Sequence, residues 1–384
     1  MKIALVRKTY SPYGGAERYL AQLIDRLSQQ GHEIHVFAHN WETKVQDHLR
    51  ERKKSVVFHR VFLIPSPSFL EALSFAYFSK RLLEEGTFDI IHSFERTLYQ
   101  DIYRAGDGCH REWLIQRKKM DPWIKRLSHP VNPLHRSLLF LEKRLFQSAR
   151  LKKIMANSQR GKEDIIRHYG VPPEKIEVIY NGVDLDVFHP RNVALYRNPL
   201  REELGIDPEA YVILFLGSGF WRKGLDSLIA SFPKIKKEIP QAYLIVAGKD
   251  RTHEYRERAV QLGVENGIRF LGPTQRGKEL CAASDLFALP TVYDPFSNAC
   301  LEAMATGIPV LTTLQNGIAE LIRDGENGFL ISEPKEGRQI GEKIIAHSHS
   351  DKKGEMGRRA RETCLPLDMN LVIHRMLRVY ESVR

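Results

Sequence analysis

Asp294-Pro295-Phe296-Ser297-Asn298-Ala299-Cys300-Leu301-Glu302-Ala303-Met304-Ala305-Thr306-Gly307-Ile308-Pro309-Val310 lies between two apolar runs, and that placement decides the fold. Leu286-Phe287-Ala288-Leu289-Pro290 reads as a buried strand entering the stretch. Ile308-Pro309-Val310-Leu311-Thr312 reads as the strand leaving it. Between them the residues from Ser297 to Thr306 are mostly helix formers, and Gly307 stands where a C′ glycine ends a helix. Strand, loop, short helix and strand form the unit of an open α/β sheet, which binds ligands at the carboxyl ends of its parallel strands. Asp294 falls in that loop. Ser297, Asn298 and Ala299 are placed to offer main-chain N–H groups at a helix start, a site for an anion. Glu302 lies deeper in the helix on the same side, where a carboxylate can accept hydrogen bonds from two adjacent hydroxyl groups. The plainer alternative is a capped core helix with two surface acids.

The pattern continues on both sides. Tyr211-Val212-Ile213-Leu214-Phe215-Leu216-Gly217 is continuously apolar, as a central parallel strand is. Ser218 to Gly224 follows, then a helix over Leu225 to Glu238. Arg222 and Lys223, set among Gly217, Gly219 and Gly224, can hold a diphosphate, arginine as a bidentate fork and lysine as a point charge. A solvated basic turn is the alternative. At the other end of the chain Lys2 to Val6 is a strand. Ala16, Tyr19, Leu20, Leu23, Ile24 and Leu27 then recur at helical spacing. Gly14 and Gly15 between them let a ligand approach the backbone beside a helix amino terminus. The loop lacks the GxGxxG spacing of a dinucleotide site. Val56 to Ile64, Phe88 to His92, Asp101 to Asp107, Ile154 to Ser158 and Lys175 to Ile179 read as further strands. His92 and Asp107 therefore stand at strand ends, where a cleft would open.

A chain of 384 residues, 42% hydrophobic and 27% charged, suits two globular domains. Its 18 Phe and 14 Tyr exclude a disordered chain. The four cysteines form no CxxC pair, which argues against zinc and thioredoxin motifs and suits a reducing compartment. No apolar stretch approaches the roughly 18–20 residues that span a bilayer, and the first residues do not read as a signal peptide. The net charge of +11 points to an anionic partner. No helix-turn-helix, RNP or zinc-finger pattern supports nucleic acid. The charge is concentrated between Cys109 and Phe146, where Lys118, Lys119, Lys125 and Arg126 are interleaved with Trp113 and Trp123. Such a mixture suits an anionic membrane surface, with tryptophans at the acyl boundary. A basic helix face packed on its own domain, or a site for a phosphorylated sugar, would use the same residues. Asp184-Leu185-Asp186 matches an Asp-x-Asp metal motif but lies in the link between the halves, so no metal is expected.

Asp294 and Glu302, with seven residues between them, resemble the acidic-x7-acidic motif of retaining nucleotide-sugar transferases of glycosyltransferase family 4, which usually has Glu at the first position. The "GGAERY" loop, the "KIEVIYNGVDLDVFHP" link and the "NGFL" turn also look like that family. "YSPYGGAERY", "DIYRAGDGC" and "GSGFWRKGLD" resemble its lipopolysaccharide core glucosyltransferase I group. The resemblance implies a GT-B architecture, two Rossmann-like doubly wound domains facing across a cleft. Residues 1–183 would bind the acceptor and 184–365 the nucleotide sugar, with a last helix in 366–384 returning to the first domain. It further implies retaining, metal-independent transfer of a hexose from a nucleotide sugar such as UDP-glucose to an anionic glycan or glycolipid, with no cofactor. Arg222 and Lys223 would stabilise the departing diphosphate, Glu302 would hold the ribose, and Asp294 with Phe296, Ser297 and Asn298 would orient the sugar. Gly14, Gly15 and Gly217 would admit the donor, and Asp107 would act at the acceptor. The enzyme would sit peripherally on the cytoplasmic face of the inner membrane. A different capsule or lipid-linked glycan as acceptor, a nucleotide-sugar epimerase, or a non-catalytic glycan-binding protein of the same fold are the alternatives.

Overall fold

The computed structural model describes residues 1–10, 15–41, 56–122, 129 and 131–383. Its strands are β1 (Lys2–Val6), β2 (Thr9–Tyr10), β3 (Glu33–Ala38), β4 (Asn40–Trp41), β5 (Val56–Arg60), β6 (Ile90–Ser93), β7 (Ile102–Ala105), β8 (Lys153–Ala156), β9 (Ile176–Val178), β10 (Tyr211–Leu216), β11 (Ala242–Ala247), β12 (Ile268–Gly272), β13 (Leu286–Leu289), β14 (Val310–Thr313) and β15 (Gly328–Ile331). Two wholly parallel sheets contain most of them. One runs β5-β3-β1-β6-β7-β8-β9 and the other β12-β11-β10-β13-β14-β15. In each, strand order reverses beside the first strand made, β1 or β10. At such a switch point the flanking loops diverge and leave a crevice at the carboxyl edge.

The chain divides into two compact units, Met1–Gly182 with Met369–Arg384, and Val183–Asp368. In the first, the helix Gly15–Gln29 buries Leu20, Leu23, Ile24 and Leu27 against Ile3, Leu5, Ile34 and Val36 of β1 and β3. The helix Met369–Ser382 buries Val372, Ile373, Met376 and Tyr380 in the same core. Polar contacts fasten it there: Tyr19 Oη donates to Met376 Sδ at 2.6 Å, and Lys152 Nζ to the Val383 carbonyl at 2.6 Å. In the second unit β10 is buried almost throughout, as its unbroken apolar run requires.

Two differences from the sequence reading have physical causes. The apolar run from Val56 to Ile64 pairs as a strand only to Arg60, because its neighbour β3 ends at Ala38, the residue opposite Arg60. Phe62 and Ile64 beyond it are exposed. A helix, Asn192–Glu203, was not foreseen. It contains Pro199, and its buried face includes Arg201, a residue that does not read as core. That guanidinium is fully buried because it donates to the Ala283 and Ala210 carbonyls at 2.9 and 2.8 Å and to Asp285 at 2.9 Å.

Candidate active site

In the second unit β10 ends at Leu216 and the chain turns through two glycines of positive φ, Gly219 at 77° and Gly224 at 81°. Between them lies a one-turn helix, Phe220–Lys223. A Cβ on Gly224 would collide with the Pro290 carbonyl, so only glycine lets this turn seat against the end of β13. The Arg222 carbonyl accepts from the Val292 N–H at 2.8 Å and from Thr291 Oγ1 at 2.9 Å, which ties the turn to the loop after β13. The Lys223 stem runs along Gly217, where a Cβ would stand 3.6 Å from its carbons.

The two cations then meet one carboxylate. Lys223 Nζ donates to Asp294 Oδ2. Arg222 Nη1 lies 3.9 Å from that same oxygen and donates to the Tyr293 carbonyl at 3.1 Å. Their exposures differ: 34% of the Arg222 side chain is accessible and 11% of Lys223. Burial alone raises the Asp294 carboxyl, but Lys223 and Arg222 outweigh it and hold the group below its ordinary value. Asp294 is thus ionised at neutral pH, and Arg222 is the more exposed of its two cations.

Asn316 fixes the loop. Asp294 N–H donates to the Gln315 carbonyl at 3.1 Å and the Asp294 carbonyl accepts from Gly317 N–H at 2.9 Å. The Asn316 amide is buried: its oxygen accepts from Ser297 and Ile318 N–H at 3.2 and 3.4 Å, and its nitrogen donates to Thr312 Oγ1 at 3.0 Å. Ser297 caps the helix Asn298–Ala305 by accepting from Cys300 N–H at 3.4 Å. Ser297 therefore turns its N–H and hydroxyl oxygen inward, and Phe296 is buried beside it. Asn298 is half-buried. Glu302 is nearly buried, and its Oε2 would stand 3.9 Å from a Cβ on Gly277, at the start of the helix Gly277–Ala283.

In the first unit Gly15 opens the helix Gly15–Gln29, and Gly14 lies outside the described residues. Asp107 follows β7 and is flanked by Arg7 Nη1 at 3.9 Å and Arg96 Nη1 at 4.0 Å. Arg96 is held by Glu142 at 2.9 Å and by the Gly108 carbonyl at 2.9 Å. Glu95 accepts from the Lys8 N–H at 3.1 Å and lies 3.5 Å from Arg7 Nε. Sequence reasoning missed Arg7, Glu95 and Arg96. The signal was their position, one to three residues beyond β1 or β6 on the carboxyl edge. His92 is not at the mouth of any crevice. It is fully buried with Nδ1 2.6 Å from Tyr380 Oη, and burial with the nearby Arg104 charge pushes it down to about 3, so it is a neutral core residue.

The basic segment contains two helices, His110–Met120 and Pro133–Phe146. Lys118 and Lys119 are exposed and Trp113 is half-buried; Trp123, Lys125 and Arg126 lie outside the described residues. Each helix exposes a cation, an apolar residue and two cations at the same spacing: Arg111, Ile115, Lys118 and Lys119 on one, Arg136, Phe140, Lys143 and Arg144 on the other. Glu112 points inward, where Glu112, Asp164 and His168 bring possible metal-ligand atoms within 4.8 Å of one another. Arg160 and Arg167 already pair with those carboxylates. No helix among the described residues is long and apolar enough to cross a membrane.

Residues 13–187 match Glycosyltransferase Family 4, and residues 197–363 match Glycosyl transferases group 1. The chain belongs to glycosyltransferase family 4. This family-4 enzyme is 27% identical over 346 residues to the lipopolysaccharide glucosyltransferase WaaG of Escherichia coli K12, covering 89% of this chain and 88% of that one. A crystal structure of WaaG, described as a glycosyltransferase involved in lipopolysaccharide biosynthesis, superposes with a TM-score of 0.84 at 24% identity, over 98% of this chain and 99% of the other. Anabaena Alr3699/HepE, solved in complex with UDP and glucose, superposes with a TM-score of 0.75 at 22% identity over the whole of both chains. The two parallel-sheet units of the family-4 enzyme are those of the GT-B fold.

Proposed function

We propose that this glycosyltransferase moves a glucosyl residue from UDP-glucose to an anionic glycan, the core of lipopolysaccharide, with retention at the anomeric carbon and without a metal. The observation that carries this reading is the convergence of Arg222 and Lys223 on Asp294 at the glycine-lined end of β10. Two fixed cations there can stabilise the negative charge that develops on a departing diphosphate, which is the task a metal performs elsewhere. Gly217 leaves room for the phosphates. Glu302 takes the ribose hydroxyls. Asp294, fixed as an anion, and the main chain at Phe296 and Asn298 orient the transferred sugar, while Ser297, expected to take part, spends its N–H on Asn316. The first unit binds the acceptor, with Asp107 at the reacting hydroxyl. The similarity to WaaG over most of both chains supports the choice of sugar and acceptor, and the UDP and glucose bound to HepE support the donor. The exposed cations of the two basic helices support a peripheral site on an anionic, cytoplasmic membrane face.

The test is thermal stabilisation by nucleotides and nucleotide sugars in the presence of EDTA. UDP and UDP-glucose at about a hundred times Kd are expected to stabilise the second unit by about 2.7 kcal/mol, and Glu302→Ala to abolish most of that shift. A shift only with another nucleotide discards the donor assignment. No shift with any nucleotide sugar from folded protein favours a glycan-binding protein of the same fold. NMR of the product glycan reads the anomeric configuration directly.

A further inference from the structure

Glu142 is fully buried, and donors from three separate stretches of the first unit converge on its carboxylate. Oε1 accepts from Arg96 Nε at 2.9 Å and from the His110 N–H at 2.5 Å. Oε2 accepts from Tyr169 Oη at 2.6 Å and from the Arg111 N–H at 3.4 Å. The helix His110–Met120 has no side-chain cap from its own N-cap residue, Cys109, so Glu142 takes up its first donors and the positive end of its dipole. That much holds the fold together. The contact with Arg96 reaches further. A guanidinium is a rigid planar fork, so fixing two of its edges sets the direction of the third. Glu142 fixes Nε, the Gly108 carbonyl fixes Nη2 at 2.9 Å, and the remaining Nη1 lies 4.0 Å from Asp107 Oδ2. Arg7 Nη1 lies 3.9 Å from that same oxygen. Asp107 therefore has two cations beside Oδ2, on a side chain that is 49% exposed.

We propose that Glu142 is a positioning residue for the acceptor: through Arg96 it fixes the loop 106–108 and turns Asp107 so that Oδ1 meets the acceptor hydroxyl. The inference rests on the transfer reading above, in which Asp107 stands at that hydroxyl, and it adds no proton transfer or covalent step. Both oxygens of Glu142 already accept from N–H or O–H groups. A glutamine of the same shape would set its amide N–H against one of those donors and leave Arg96 without its anion. Lysine in place of Arg96 keeps the charge but cannot hold Glu142 and the Gly108 carbonyl in one plane. Misplacing a reacting group by about 1 Å costs about 10²-fold in rate.

The experiment measures acceptor-dependent UDP release from UDP-glucose, with truncated lipopolysaccharide core as acceptor, in a double-mutant cycle. Glu142→Gln and Arg96→Lys are each made alone and together with Asp107→Asn, and the melting and the thermal shift with UDP are recorded for every variant. Each of the three single substitutions is expected to lower kcat/KM for the acceptor about 10²-fold and to keep both the UDP shift and the KM for UDP-glucose. In the Asp107→Asn background, Glu142→Gln and Arg96→Lys are each expected to cost no more than about twofold further, because residues that act through one group are not additive. A Glu142 that only holds the fold together would lower activity by the same factor in both backgrounds. Equal factors in the two backgrounds, or full acceptor activity in Asp107→Asn or Arg96→Lys, overturn the assignment and leave the substrate reading intact. Where Glu142→Gln does not fold, the Arg96→Lys arm of the cycle decides by the same criterion. No acceptor-stimulated release by the wild type overturns the substrate reading and this assignment together.

Discussion

Lys223 and Asp294 are buried together, so neither charge is tolerated alone. Lys223→Met should destabilise the protein by about 3 kcal/mol, the usual result of stranding one member of a buried pair. Adding Asp294→Asn should recover most of that loss, as urea unfolding would read. Asp294 is held below its ordinary value, so its contribution is complete at neutral pH and is lost only as pH falls through and below the usual carboxylate range. Asp164 works in the opposite sense. Burial and the neighbouring Glu112 push it up to about 6, so the fold favours its neutral form. Its stabilising contribution is full below the usual carboxylate range and is lost as pH rises through about 6. Asp164→Asn should therefore melt several degrees above the wild type at pH 7.5, at about 2–4 °C per kcal/mol, and the difference should close by pH 4. Arg222, Lys223 and Asp294 could be picked from sequence because glycines and strand ends surround them. The task of Asn316 is not legible, since an asparagine that consumes its amide holding a loop looks the same in sequence as one that meets a ligand. Arg7 and Glu95 were passed over, because their one signal, a charge just past a strand, also matches any solvated turn.

Elements with explicit punctuation were legible. The helix Asn298–Ala305 was read almost to the residue, because Ser297 caps it and Gly307, at φ 83°, ends it. The helix Asn192–Glu203 had no such marks and hid its buried face behind Arg201. Trp113 and Trp123 suggested the membrane-facing residues, yet Trp113 is half-buried and the exposed apolar residues of the two basic helices are Ile115 and Phe140. Rotation of a short helix about its own axis depends on what it packs against, and neighbouring tryptophans and cations do not fix it. Binding to phosphatidylglycerol vesicles should weaken as salt rises and the Debye length shortens from about 10 Å at 0.1 M. Lys118→Glu with Lys119→Glu should abolish it. Ile115→Ser or Phe140→Ser should each cost about 1 kcal/mol, roughly fivefold in partitioning. Equal binding to phosphatidylcholine vesicles would count against an electrostatic surface.

At the scale of the molecule, alternation of strand and helix announced two doubly wound sheets, and both are present. The chain path is less simple than two successive halves. The helix Met369–Ser382 supplies Val372, Ile373, Met376 and Tyr380 to the core that β1 and β3 begin. A protein stopped after Asp368 would leave that core open. Loss of cooperative unfolding in the first unit is expected, while Val183–Asp368 expressed by itself should still unfold in one transition and respond to UDP. Calorimetry of the two fragments distinguishes this from a first unit that closes without its last helix. The same arrangement reverses the order of events on the ribosome. Translation at about 5–20 residues per second takes roughly 10–40 s to pass from Gly182 to Met369. During that interval the second unit can fold, and the apolar core of β1, β3 and the helix Gly15–Gln29 waits, only partly covered, for a helix not yet made. The half of the enzyme that is synthesised first is the half completed last, and a chaperone that shields nascent apolar surface has its longest engagement there.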